Sequence, residues 1–247
     1  MDSIKISAVS YLNTFPFVYG ILNSGHLQNF LLELDVPSVC AEKLKRGDVD
    51  LALVPVGAIP GLTNPHIITD YCIGAVNSVK SVILLSQQPL ETIRTIYLDF
   101  DSSTSVQLVK ILAHRFWNIH PEWKDLLAGQ AESGNVNEAL VAIGDKTFEL
   151  AKRYKFVYDL AEEWIRFTSL PFVFAAWMSV KPLPGTVVES LNNALAWGID
   201  RKAESVEFFK EKLPGCSDCL SYLENNISFQ FDAEKRKGME LFLKYIS

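Results

Sequence analysis

Small uncharged hydrogen-bonding side chains gather at three places along this chain, and a Gly-Asp turn marks a fourth. Ser10, Tyr11, Asn13 and Thr14 follow the first apolar run. Ser78 and Ser81 precede another. Ser102, Ser103, Thr104 and Ser105 stand before a long amphipathic stretch, and Gly144-Asp145 closes a further apolar run. Hydroxyls and amides do not titrate near neutral pH, so they suit the orientation of a ligand better than strong acid or base catalysis. A helix amino terminus adds free N–H groups and a favourable dipole, which hold a carboxylate without any arginine. The plainer role for the 102–105 run is capping, since Ser and Thr are ordinary first residues of helices, and the two roles can coexist. Asn13 can equally serve its own turn through its side chain.

Other chemistries lose their sequence support. There is no G-x-S-x-G elbow, no H-E-x-x-H, no G-x-x-x-x-G-K-[ST] and no G-x-G-x-x-G, which removes the usual nucleophile, zinc, nucleotide-phosphate and dinucleotide signatures. The four histidines, His26, His66, His114 and His120, all lie away from the polar turns and read as surface or structural residues. Cys40 and Cys72 sit in apolar surroundings and read as core. Cys216 and Cys219 form a single C-x-x-C with no second pair and no nearby histidine, so neither zinc nor redox work is expected of them.

The elements that position the polar turns follow from apolar periodicity. Ile4–Ser10 reads as a buried strand, and Pro16 suits the first turn of a helix that Asn23-Ser24-Gly25 stops. Leu31–Val36 is a second strand, Ser38 the N-cap of helix 39–46, Gly47 its terminator, and Val49–Val54 a third strand. A second unit begins near Ser81, with strands Val82–Leu85, Thr95–Leu98 and Glu138–Ile143. The spacing predicts a helix after Ser105 with Val106, Val109, Ala113 and Phe116 on one face. Asp145 is expected to cap helix 146–154. An extended run Leu170–Val180 and helices near 186–202 and 233–246 complete the chain.

Alternating strands and helices of this length specify an α/β layer fold. We expect two lobes, one of residues 1–76 and 178–247 and the other of residues 77–177, with crossings near 75–80 and 174–180. Ligands in open α/β sheets bind beyond the carboxyl ends of strands, and clefts between lobes are favoured pockets. Both rules converge on the polar turns.

Composition narrows the class. The chain has 247 residues, 49% of them hydrophobic, which suffices for a sizeable core. Its 23 basic and 29 acidic side chains leave a net charge of −6, so nothing draws it to nucleic acid or to an anionic membrane. The apolar runs Leu51–Leu62 and Leu170–Val180 are too short to span a bilayer, and residues 1–10 lack a secretory signal. A cytoplasmic protein acting on a small molecule is expected.

Several blocks carry a more specific likeness. Ser10-Tyr11-Leu12-Asn13-Thr14-x-Pro16 resembles the amino-terminal signature of the chorismate dehydratases, the MqnA family of the futalosine route to menaquinone. Gly47-Asp48-Val49-Asp50-Leu51-Ala52-Leu53-Val54-Pro55, Ser81–Ser86, Ser103-x-Ser105, Ile143-Gly144-Asp145, Asp159-Leu160-Ala161-Glu162-x-Trp164 and Leu170–Trp177 follow in the family's order. Ser169, where the family has Gly, and Lys146-Thr147, where small apolar residues are usual, depart from it.

The resemblance implies a two-lobed fold like a type 2 periplasmic binding protein. It implies loss of water from chorismate to give 3-[(1-carboxyvinyl)oxy]benzoate, with no metal or organic cofactor. It also implies that Asn13 and Ser81 act on the substrate. Ser10, Tyr11, Thr14, Ser103, Thr104, Ser105, Gly144 and Asp145 are the further candidates for binding it. A naphthoate-forming relative of the same pathway is disfavoured, because Tyr11-Leu12 precedes Asn13-Thr14-Phe15 where that enzyme has a Pro-Asn-Asp-Thr-Phe-type turn. A solute-binding or effector-sensing module is the rival of another class. It would need a transport signal or an attached DNA-binding segment, and neither is expected here.

Overall fold

The computed structural model describes residues 3–99, 102–126, 138–213 and 218–247. In chain order the elements are β1 (Ile4–Val9), α1 (Phe15–Asn23), β2 (Phe30–Asp35), α2 (Pro37–Arg46), β3 (Leu51–Pro55) and β4 (His66–Ala75). Then come β5 (Val82–Ser86), β6 (Thr95–Leu98), α3 (Ser103–Leu112), β7 (Glu122–Asp125), β8 (Glu138–Ile143), α4 (Thr147–Leu150), β9 (Phe156–Asp159) and α5 (Leu160–Thr168). The last are β10 (Phe172–Ser179), α6 (Gly185–Ile199), α7 (Lys202–Phe208), α8 (Cys219–Asn225), β11 (Ser228–Gln230) and α9 (Ala233–Ile246).

Two sheets result. The larger has the order β11-β4-β10-β3-β1-β2, and the smaller β7-β6-β8-β5-β9. In the larger, β1 runs parallel to β2 and β3, while β10 is antiparallel to both β3 and β4. Parallel pairing of β1 with β3 sets the turn after Val9 beside the turn after Pro55, at one edge of the sheet. In the smaller sheet β5 is antiparallel to β8, with Val82 opposite Ile143. That register puts Ser81, just before β5, across from Gly144, just after β8, and the Gly144 N–H donates to the Ser81 carbonyl at 2.9 Å.

The strand period of two explains how the sheets are covered. On β5, Val82 and Leu84 join the main core that runs between the lobes. Ile83 and Leu85 face the other way, into a small cluster with Leu140, Ala142 and Leu150.

Some expectations are corrected. β10 lies wholly in the larger sheet, so the second crossing falls between Thr168 and Phe172, not near 174–180, and the division at 177/178 moves with it. Trp164 of α5 anchors this crossing: it is fully buried, edge-on to Phe172 at 5.3 Å and to Phe242 of α9 at 6.1 Å. Ser38 lies inside α2, because Pro37 can occupy the first turn, where a missing N–H costs nothing, and the cap passes to Val36. The expected helix 146–154 is one short turn, Thr147–Leu150, followed by a 3₁₀ turn at Ala151–Arg153. The helix expected across 186–202 breaks after Ile199 and restarts as α7. α3 ends at Leu112 and loosens into a π turn at Ala113–Trp117, so Phe116 leaves the helix face and packs on Phe167 at 5.4 Å.

Cys40 and Cys72 are buried, as expected, and burial pushes their thiols up to about 11 and about 12. Cys216 lies outside the described residues. Among those described, no helix is long and apolar enough to cross a membrane, and no three His, Cys, Asp or Glu side chains gather to hold a metal.

Candidate active site

A cleft opens between the two sheets where the polar turns meet. Tyr11, Asn13, Thr14, Ser81, Ser102, Ser105 and Gly144 line it, with Val9, Leu53, Pro55, Ile143 and Phe174 among its apolar walls. Its cavity volume is about 50 Å³, and about 480 Å³ of empty space is reached only when the open mouth is counted. No charged side chain is among the described residues that line it.

Asn13 lies in a 3₁₀ turn, Leu12–Thr14, that carries the chain from β1 into α1. The Thr14 hydroxyl, fully buried, donates to Asn13 Oδ1 at 3.1 Å and fixes the amide's rotation. Ser81 sits at the end of the first crossing, after Lys80, whose φ is +61°. That strained residue is held by Asp159, which accepts the Lys80 N–H at 2.6 Å while also capping α5 through Ala161 and Glu162, each at 3.1 Å. Burial raises the Asp159 carboxyl despite these bonds. Asn226 ties the same crossing by donating to the Ser78 carbonyl at 2.9 Å.

One residue that the sequence did not single out joins the two. Tyr222 of α8 donates to Ser81 Oγ at 2.7 Å, and the Asn13 side chain stands beside the same hydroxyl and helps to lower its pKa. The ring is buried edge-on to Phe148 at 5.0 Å. Burial drives the phenol well above its ordinary range, so it stays protonated. Nothing in the spacing of residues 81 and 222 signals this pairing.

The other candidates divide. Tyr11 packs its ring on Gly144, where φ is +71° and an added Cβ would come within 3.1 Å of that ring. Asp145 does not cap the following helix. Both its carboxylate oxygens accept the Leu12 N–H at 3.2 Å, clasping the Asn13 turn to the opposite sheet, and desolvation raises its carboxyl to about 6. Ser102 does cap α3, accepting the Ser105 N–H at 3.4 Å, and the two hydroxyls meet at 3.2 Å.

Thr104 points away from the cleft. Its hydroxyl accepts the Gly57 N–H at 3.0 Å and donates to the Phe174 carbonyl at 3.0 Å, joining α3 to the larger sheet. Gly57 is required there, since an added Cβ would lie 2.8 Å from the Thr104 nitrogen. Ser103 and Ser10 do not line the cleft either. The Ser103 hydroxyl is buried without a partner, and the Ser10 N–H donates to the Asp35 carbonyl. His114 and His120 pair with each other instead, Nδ1 to Nδ1 at 3.2 Å, on the outer surface.

Residues 4–247 match the family described as menaquinone biosynthesis. The chain belongs to that family. A chorismate dehydratase of Thermus thermophilus is 25% identical over 94% of this chain and 91% of its own length. Among solved structures, a Candida albicans protein with the generic periplasmic binding protein fold is similar at a TM-score of 0.65 and 12% identity, covering 100% of this chain and 94% of that one. The periplasmic aliphatic sulphonate binding protein of Escherichia coli is similar at 0.63 and 14%, covering 99% and 92%. The periplasmic-binding-protein fold expected from the sequence is therefore the fold of this family member.

Proposed function

We propose that this protein is a cytoplasmic chorismate dehydratase that converts chorismate to 3-[(1-carboxyvinyl)oxy]benzoate and water and needs no metal or organic cofactor. The observation that carries the reading is the meeting of the Asn13 amide and the Ser81 hydroxyl at one buried phenol, beside a cleft whose described lining is uncharged. Membership of the family and the likeness to the Thermus enzyme support it.

The chemistry fits such a site. Chorismate carries two carboxylates, a ring hydroxyl and an allylic ring proton. Losing that proton and the hydroxyl makes the ring aromatic, so the reaction is downhill and the protein must supply orientation and charge stabilisation. The amino end of α3, with Ser102 and Ser105 at the cleft, suits one carboxylate. Asn13 and Ser81 then face the reacting ring. Neither amide nor hydroxyl is a base at neutral pH, and Asp145 is engaged by the Leu12 N–H. We therefore assign the ring proton to a carboxylate of the substrate itself; as the ring C–O bond breaks, that carboxyl passes the proton to the departing hydroxyl, which leaves as water, hydrogen-bonded by Asn13 or Ser81.

Incubation of the purified protein with chorismate, followed by proton NMR, tests the reading. Appearance of the substituted benzoate supports it. Chorismate retained unchanged by the protein would mark a binding module, and chorismate ignored altogether would favour the naphthoate-forming relative.

A further inference from the structure

Four polar groups around the cleft form a chain whose direction is set by their chemistry. The oxygen of the Asn13 amide can only accept, so the bond at 3.1 Å makes the Thr14 hydroxyl the donor. The Asn13 side chain acts on the Tyr222 hydroxyl in the sense of a donor, since it favours the ionised phenol. A phenol that accepts there has its one proton left to give, and the acceptor at 2.7 Å is Ser81 Oγ. Ser81 is itself 1% exposed, and its hydroxyl proton then has the cleft as its outlet.

We propose that Tyr222 is a positioning residue that fixes Ser81 as a hydrogen-bond donor to the substrate, through the sequence Thr14 to Asn13 to Tyr222 to Ser81. The inference rests on the dehydratase reading and adds a direction to it. Ser81 donates to the departing hydroxyl or to a substrate carboxylate and does not accept the ring proton. The device belongs to the carboxyl-terminal segment: α8 reaches back across the crossing, with Asn226 beside it holding Ser78. A seven-residue helix remote from both strand ends thus completes the site.

The test is a double-mutant cycle on chorismate turnover, using wild type, Tyr222→Phe, Ser81→Ala and the double variant. The Phe ring keeps the contact with Phe148, so folding, read by circular dichroism and thermal unfolding, is expected to persist. Tyr222→Phe should lower kcat at least tenfold with KM within twofold. In the Ser81→Ala background the same change should cost less than twofold, because the donor that Tyr222 orients is already gone. A wild-type kcat in Tyr222→Phe, or losses that multiply in the double variant, would overturn the inference while leaving the dehydratase reading intact. Absence of turnover in the wild type would overturn both.

Should Tyr222→Phe fail to fold, 3-fluorotyrosine placed at 222 keeps the shape and strengthens the donor. A change in kcat of more than twofold at constant KM is then expected, and an unchanged kcat would overturn the inference.

Discussion

At the corner made by Asn13, Ser81 and Tyr222, polar side chains from three distant parts of the chain meet, and Tyr222 bonds Ser81 directly. At the corner made by Ser102 to Ser105, residues of the same chemistry bond mainly the backbone: Ser102 caps α3, and Thr104 joins Gly57 to Phe174. The contrast teaches that hydroxyl-rich turns divide by where their hydrogen-bonding capacity goes. Where the backbone takes it, the turn holds the lobes together. Where side chains take it, as at Ser81 and also at Ser102 with Ser105, a hydroxyl in the cleft is available to a ligand.

Substitutions can break that contrast or sharpen it. Asn13→Ala should cause the largest loss, roughly 10²-fold or more in turnover, as expected for removing a transition-state donor, with the unfolding curve unchanged. A turnover within threefold of wild type would remove Asn13 from the reaction. At the other corner Thr104→Val should cost stability. It leaves a buried N–H and a buried C=O without partners, a loss of about 1–3 kcal/mol in urea titration. A midpoint equal to wild type would mean that Thr104 does not join the lobes.

Asp145 stands between the two cases, since its carboxylate binds backbone across the cleft. Its folded carboxyl titrates at about 6, above the unfolded value of 3.8, so the folded state holds the proton more tightly. The stability this group contributes is complete below about pH 4 and is lost as pH rises through about 6. Asp145→Asn keeps an acceptor for Leu12 without the buried charge. The variant should therefore lose that part of the pH slope and gain on wild type above pH 6. Parallel stability curves for the two proteins would contradict the assignment. Ser103→Ala should leave KM unchanged, whereas Ser105→Ala should raise it a few-fold. A reversal of that order would put the wrong hydroxyl in the cleft.

The smallest effect concerns Ser169, which adopts φ +60° at the second crossing, a left-handed conformation that favours glycine. Ser169→Gly should stabilise by about 1 kcal/mol, measured as a rise in melting temperature.

Much of the frame could be read before any coordinates. Thr95–Leu98, Glu138–Ile143 and Ala233–Ile246 fall at their expected limits because their periodicity is strong and their ends carry turn or cap residues. β4 was not legible: Thr69 and Asp70 interrupt its apolar run, and its pairing with β10 lies a hundred residues away. β7, with the sequence Glu-Trp-Lys-Asp, has no apolar face to announce it. At the site, Asn13, Ser81, Ser105 and Gly144 could be placed by strand ends and by family likeness. Tyr222 could not, because only the folded chain brings α8 to the first crossing. Asp145 is visible in the sequence but its partner is not, since a local cap and a clasp on Leu12 look alike there.

The most direct measurement is a co-crystal structure of the wild-type protein with 3-[(1-carboxyvinyl)oxy]benzoate. The account predicts ligand density between the two sheets, with the Asn13 amide and the Ser81 hydroxyl within hydrogen-bonding distance of it and one carboxylate at the start of α3. Density instead in the surface crevice lined by His26, Asn29 and Asp50, or a cleft left empty at saturating ligand, would contradict it.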